Sequence, residues 1–234
     1  MGQDSASNKA NLKALFLTVI ILAITAVFFF VAAAGRFDLP RAWIYFIALF
    51  VCFVTTTILI ARFNPELLIH RLKKHSGTKT WDQVLMRLTN LFGVYFPIII
   101  AGLDTGRYQW SSIDPRFMIL GLVLLFAGNS LTAWAMVKNT HFEPVVRIQG
   151  DRSHQVVSDG PYRFVRHPGY LGGLLFYFST PLILGSAYAF IPAGVGAALI
   201  TLRTALEDRT LRKELNGYHQ FTEHTRYRLL PPIW

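Results

Sequence analysis

The chain has 234 residues, of which 53% are hydrophobic and only 15% charged, with a formal net charge of +10. A soluble domain carries about a quarter charged residues, so this composition excludes an ordinary soluble enzyme and points to an all-α, polytopic membrane protein. A single cysteine, Cys52, excludes an intrachain disulfide and a cysteine-based metal site.

A bilayer asks a helix for about 20 apolar residues in succession, and the chain supplies about six such candidates. The first is residues 15–34, read as an uncleaved span because a signal peptide has a shorter apolar core. The second is 42–61, the third 84–103 and the fourth 117–137. The fifth, 170–184, and the sixth, 188–206, are joined by a tight tip around Ser186. Pro181 and Pro192 are expected to bend them. Residues 1–138 thus form a region of four spans. Residues 139–234 form a second region: a polar connector, the 170–206 hairpin and a tail. Residues 65–79 mix Leu67, Leu68 and Ile69 with His70, Arg71, Lys73 and Lys74 and read as a basic helix lying on the membrane surface.

With the N-terminus inside, the outer loops hold Arg36, Arg41, Arg107 and Arg116, four of the 23 basic residues, and the other 19 fall inside. That asymmetry is the positive-inside signature. It puts both termini and the polar segments on the cytoplasmic face. It also accounts for the net charge by contact with anionic membrane lipids, so no nucleic-acid partner is expected. The oligomeric state is not legible.

Polar residues concentrate in two inside segments, 138–168 and 207–234, which bracket the hairpin. A hairpin returns its ends to one face, so residues near His167 and near Glu207 are expected to be neighbours. In "GPYRFVRHPGYLGG" (160–173), Asp-Gly-Pro reads as a turn. Pro168 suits the first turn of the fifth helix. Arg166 and His167 stand before that helix's N-terminus, a combination suited to an anionic group. An ordinary basic anchor with interfacial tyrosines is the competing reading. At the other end, Arg203 and Glu207, and Asp208 and Arg212, have the spacing of same-face ion pairs.

These motifs carry a resemblance. "NTHFEPVVRIQ" (139–149), "HQVVSDGPYRFVRHPGYLGG" (154–173), "RTALEDRTL" (203–211) and the closing "RYRLLPPIW" together resemble the isoprenylcysteine carboxyl methyltransferase and phospholipid methyltransferase-like group of membrane enzymes. The resemblance runs over 139–234; the first four spans carry no matching motif. It implies S-adenosyl-L-methionine as cofactor, leaving as S-adenosyl-L-homocysteine, bound on the cytoplasmic side without a Rossmann domain. It further implies Gln149, His154, Val157, Gly160, Tyr162, His167, Pro168, Tyr170 and Glu207 as cofactor-contacting positions. Arg166, Arg203 and Glu207 are the implied catalytic or acceptor-orienting residues. A lipophilic or lipid-linked acceptor (carboxylate, amine or thiol) would enter from the bilayer, with no metal required. Two features depart from the group's pattern. The acidic pair is Glu207-Asp208 rather than Glu-Glu, and "LNGYHQF" (215–221) stands where Phe-Gly is common. Both bear on the acceptor more than on the cofactor.

Two other readings stand beside this one. Sterol-reductase-like membrane proteins carry a similar Arg-His stretch and take NADPH, and a lipid-binding protein without catalysis would keep the same fold. His141 and Glu143 could line the site or cap a turn, with the turn favoured; His219 and His224 are read as no metal site, and 27–30 (VFFF) as lipid-facing or packing aromatics.

Overall fold

In a computed structural model, the structure describes residues 17, 20, 21, 23–71 and 77–234. Among the described residues the secondary structure is helical, with no strand. We number the helices α1 (Ala23–Ala34), α2 (Pro40–Phe63), α3 (Pro65–Arg71), α4 (Thr80–Tyr108), α5 (Phe117–Lys138), α6 (Pro168–Leu184), α7 (Phe190–Glu214) and α8 (Tyr218–His224).

Helices α2, α4, α5 and α7 are each long and apolar enough to cross a membrane, while α1 and α6 are shorter apolar helices. The start of the first expected span and residues 72–76 of the expected surface helix lie outside the described residues. Residues 65–71 of that surface helix form α3, and residues 77–79 are not helical. Helix α3 turns Leu67 and Leu68 into the protein, against Ile60, Met136 and Phe142.

The third span runs on to Tyr108, beyond the expected end at Leu103, because the helix widens twice, at Leu91–Tyr95 and Leu103–Tyr108. At the first widening the Phe96 N–H reaches back to Leu91 O. Pro97 follows and has no N–H to give, so a local π-turn absorbs the mismatch without breaking the helix. Pro192 is the third residue of α7 and sits in its first turn, where a missing N–H costs nothing. The bend expected there has no cause. Pro181 lies inside α6, which continues to Leu184.

The apolar core joins Phe30 of α1, Tyr45 and Leu49 of α2, Ile98 of α4, Leu125 of α5 and Ile183 of α6. Tyr45 carries a polar tip into it and pairs its hydroxyl with Thr180 Oγ1 at 3.1 Å. In the aromatic run 27–30, Phe30 is buried in this core and Phe28 faces outward. Helices α5 and α6 are the most closely apposed pair. A Cβ on Gly128 would meet Gly172 O at 2.6 Å, and one on Gly172 would meet Thr132 Oγ1 at 2.1 Å. Gly172 thus admits a neighbouring backbone. This contact fixes where the N-terminus of α6, and the motif before it, stand against the connector leaving α5.

Candidate functional site

The polar ends of α4, α5, α6 and α7 and the connector line a cavity of about 460 Å³. Its wall includes Gln149, His154, Val157, Tyr162, Arg166, His167, Pro168, Tyr170, Arg203 and Glu207. The fold therefore brings together, from stretches far apart in sequence, every anticipated site residue but one. Gly160 is the exception. It holds φ +59°, and a Cβ there would meet Lys138 Cγ at 2.9 Å and Trp134 Nε1 at 3.2 Å. Its place is the turn against α5, outside the cavity wall.

Tyr170 and Glu207 form the centre of the wall. The Tyr170 hydroxyl donates to Glu207 Oε2. The Tyr170 ring is held from two sides: His167 stacks on it with centroids 5.8 Å apart, and the Arg203 guanidinium lies 5.3 Å from its centroid. His167 caps α6, gives its backbone N–H to Arg228 O at 3.0 Å, and brings Nδ1 to 4.0 Å from Glu207 Oε1.

Asp208 points the other way. It is fully buried and gathers Arg166 Nε at 2.8 Å, Arg228 Nε at 3.0 Å, the Tyr218 hydroxyl at 3.1 Å and Arg212 Nε at 3.2 Å. Arg166 also donates through Nη1 to the carbonyls of Thr225 and Arg226. Its guanidinium is turned to Asp208 and the tail rather than offered to an anion, so it locks α6, α7 and the tail together. The anticipated Asp208–Arg212 pair is present. The anticipated Arg203–Glu207 pair is replaced: Arg203 Nε donates to Asp82 Oδ1 at 2.7 Å, and Nη2 donates to Pro144 O at 2.7 Å.

The connector folds on itself. Gln149 is buried, receives Arg152 Nη1 on its oxygen at 2.9 Å and donates its amide to His141 O at 2.8 Å. The His141 and His154 rings lie 4.5 Å apart. Burial first, then the neighbouring charge of His141, pushes the His154 pKa down to about 4. Tyr162 accepts from Asn139 Nδ2 at 3.0 Å, and its burial raises its phenol pKa. Both His141 and Glu143 line the cavity, the less favoured of the two places open to them. Glu143 is gripped by Arg147 at 2.7 and 2.9 Å.

Two participants carried no signal as site residues in the sequence. Arg71 of α3, which looks like one of several solvated surface cations, lines the cavity, donates to Phe142 O at 3.1 Å and lies over the Phe142 ring. Asp82, in the first turn of α4, looks like an ordinary helix-start acid but is fully buried on Arg203.

Residues 117–216 match the family described as Phospholipid methyltransferase. The resemblance read from the sequence holds. The match starts one helix earlier than the motifs did, taking in α5, and stops before α8 and the tail. Among curated relatives, Protein-S-isoprenylcysteine O-methyltransferase of Schizosaccharomyces pombe is 30% identical over 112 residues, 47% of this chain and 41% of that protein. The protein of the same name from Homo sapiens is 30% identical over 106 residues, 45% of this chain and 36% of that protein. A Probable protein-S-isoprenylcysteine O-methyltransferase of Oryza sativa subsp. indica is 35% identical over 66 residues, 28% of this chain and 35% of that protein. The aligned stretches thus span about two-fifths or less of these methyltransferases, and α1 to α4 fall outside the family match.

Proposed function

We propose that this chain is an integral membrane methyltransferase that uses S-adenosyl-L-methionine to methylate a lipophilic acceptor. The observation that carries the reading is the cavity in which the Tyr170–Glu207 pair, the capped start of α6 and the connector converge, in the part of the chain that matches the phospholipid methyltransferase family.

The residues present fit the cofactor. A cavity of about 460 Å³ falls within the ordinary range for small-molecule sites, about 300–1,000 Å³. When bound, S-adenosyl-L-methionine supplies a methyl group activated on a sulfonium, and S-adenosyl-L-homocysteine is what remains. Glu207 accepts hydrogen bonds from an ammonium or a ribose diol. Tyr162 and Tyr218 offer aromatic faces to an adenine or to a cation. Arg71 supplies positive charge toward a carboxylate. Gln149, His154 and Val157 form the connector side of the wall, and Pro168 with His167 forms the α6 side. Arg203 braces Tyr170, and Arg166 holds the tail in place behind the wall. Transfer between two bound groups then depends on orientation and exclusion of water, with the connector walling one side of the cavity.

The membrane-crossing helices supply the route for the acceptor, a carboxylate, amine or thiol bearing an apolar chain and entering from the bilayer. In this reading the site and both termini are cytoplasmic, following the distribution of basic residues, and residues 1–138 serve as the membrane frame of the 139–234 catalytic region. Incubation of the detergent-purified protein with methyl-labelled S-adenosyl-L-methionine and a membrane lipid extract tests the proposal. Label passes to an organic-soluble product with the wild type and falls sharply with Glu207→Gln or His167→Ala. Full transfer by both variants would refute the site assignment.

A further inference from the structure

We propose that Asp82 is a positioning residue of this site, one that keeps Glu207 available to a ligand by holding Arg203 away from it. The inference rests on the methyltransferase reading above. Arg203 and Glu207 stand four residues apart on α7, the spacing at which an arginine and a glutamate pair along a helix. They do not pair in that way here. The Arg203 fork closes on Asp82, with Nε to Oδ1 at 2.7 Å and Nη2 to Oδ2 at 3.2 Å, and Nη2 also donates to Pro144 O.

Asp82 is itself fully buried and receives the Val146 N–H on Oδ2 at 2.7 Å. The backbone seals the joint, with Lys79 N–H donating to Val146 O at 3.1 Å. Asp82 is not among the residues lining the cavity, so it meets no ligand and acts through Arg203. With the guanidinium anchored there and laid over Tyr170, the Glu207 carboxylate accepts the Tyr170 hydroxyl on Oε2, has His167 Nδ1 at 4.0 Å from Oε1, and lines the cavity. A buried arginine deprived of its partner seeks another carboxylate, and Glu207 is the one at helical spacing. Capture of Glu207 fills the acceptor oxygens that a bound ammonium or diol needs. Asp82 also lies outside residues 117–216, so part of the site's geometry comes from the half of the chain without the family motifs.

The test is titration calorimetry of S-adenosyl-L-homocysteine into the 234-residue protein in detergent: wild type, Asp82→Asn, Arg203→Gln and the double variant. Asp82→Asn weakens binding by about tenfold, a typical size for coupling between contacting charged groups. Asp82→Asn has no further effect once Arg203→Gln is in place, because no cation remains to capture Glu207. Wild-type affinity in Asp82→Asn, or losses that multiply in the double variant, would overturn the inference. If Asp82→Asn does not fold, the double variant, which leaves no buried charge unpaired, decides the question. It binds as tightly as Arg203→Gln alone if Asp82 acts through Arg203, and about tenfold more weakly if Asp82 acts by itself. A wild type that binds no S-adenosyl-L-homocysteine removes the methyltransferase reading and the inference together, an outcome distinct from the others.

Discussion

Arg166 Nε meets Asp208 Oδ1 at 2.8 Å across 42 residues of sequence. The contact divides the acidic pair into two roles: Glu207 faces the cavity, and the fully buried Asp208 binds α6, α7, α8 and the tail into one unit.

Loss of Asp208 is therefore a stability effect. Removing one partner of a buried ion pair costs about 3–5 kcal/mol because the other charge is left uncompensated. Asp208→Ala is expected to lower the thermal midpoint in detergent by an amount consistent with that loss. Glu207→Gln, whose side chain is 21% exposed and can still accept from Tyr170, is expected to stay within about 0.5 kcal/mol of wild type. Equal destabilisation by both substitutions would contradict the division of roles.

Gly160 is held at φ +59°, with Lys138 Cγ and Trp134 Nε1 closing on the space a side chain would take. Left-handed backbone costs a residue bearing a Cβ about 1–2 kcal/mol. Gly160→Ala is expected to destabilise by at least that amount in denaturant unfolding. It should leave ligand affinity nearly intact in the folded fraction, because Gly160 does not line the cavity. Affinity lost with unchanged stability would place Gly160 at the ligand after all.

His154 predicts a pH effect. Its pKa is depressed from the ordinary 6.5 to about 4, chiefly by burial. Between those values the unfolded chain binds a proton that the folded chain does not, so stability rises with pH across the window and is lost as pH falls through it. Below about 4 both states are protonated and the contribution is level. His154→Gln should flatten this part of the stability–pH curve relative to wild type. Parallel curves for the two proteins would show that His154 titrates normally.

Much of this was legible in the sequence because the hairpin rule is geometric. Once α6 and α7 are recognised as apolar and joined by a short tip, His167 and Glu207 have to meet at one end. Glycine, proline and tyrosine at 160–173 report a constrained turn by their own chemistry. What stayed hidden lay in the choice of partners. Arg203 has two carboxylates within reach, and only the packing of α4 against α7 decides for Asp82. Arg71 belongs to a basic stretch whose composition matches a membrane-surface helix, and nothing local says that Leu67 and Leu68 turn inward and carry it to the cavity. Pro97 did not break the third span because a π-turn, which no sequence period announces, took up its missing hydrogen bond.

The central claim is that the Tyr170–Glu207 wall holds S-adenosyl-L-methionine. Calorimetric titration of S-adenosyl-L-homocysteine, and separately of NADPH, into wild type and Glu207→Gln tests it most directly. The account predicts saturable binding of S-adenosyl-L-homocysteine by the wild type, a loss of at least tenfold in the variant, and no binding of NADPH. Equal affinity in both proteins, or binding of NADPH alone, would contradict it.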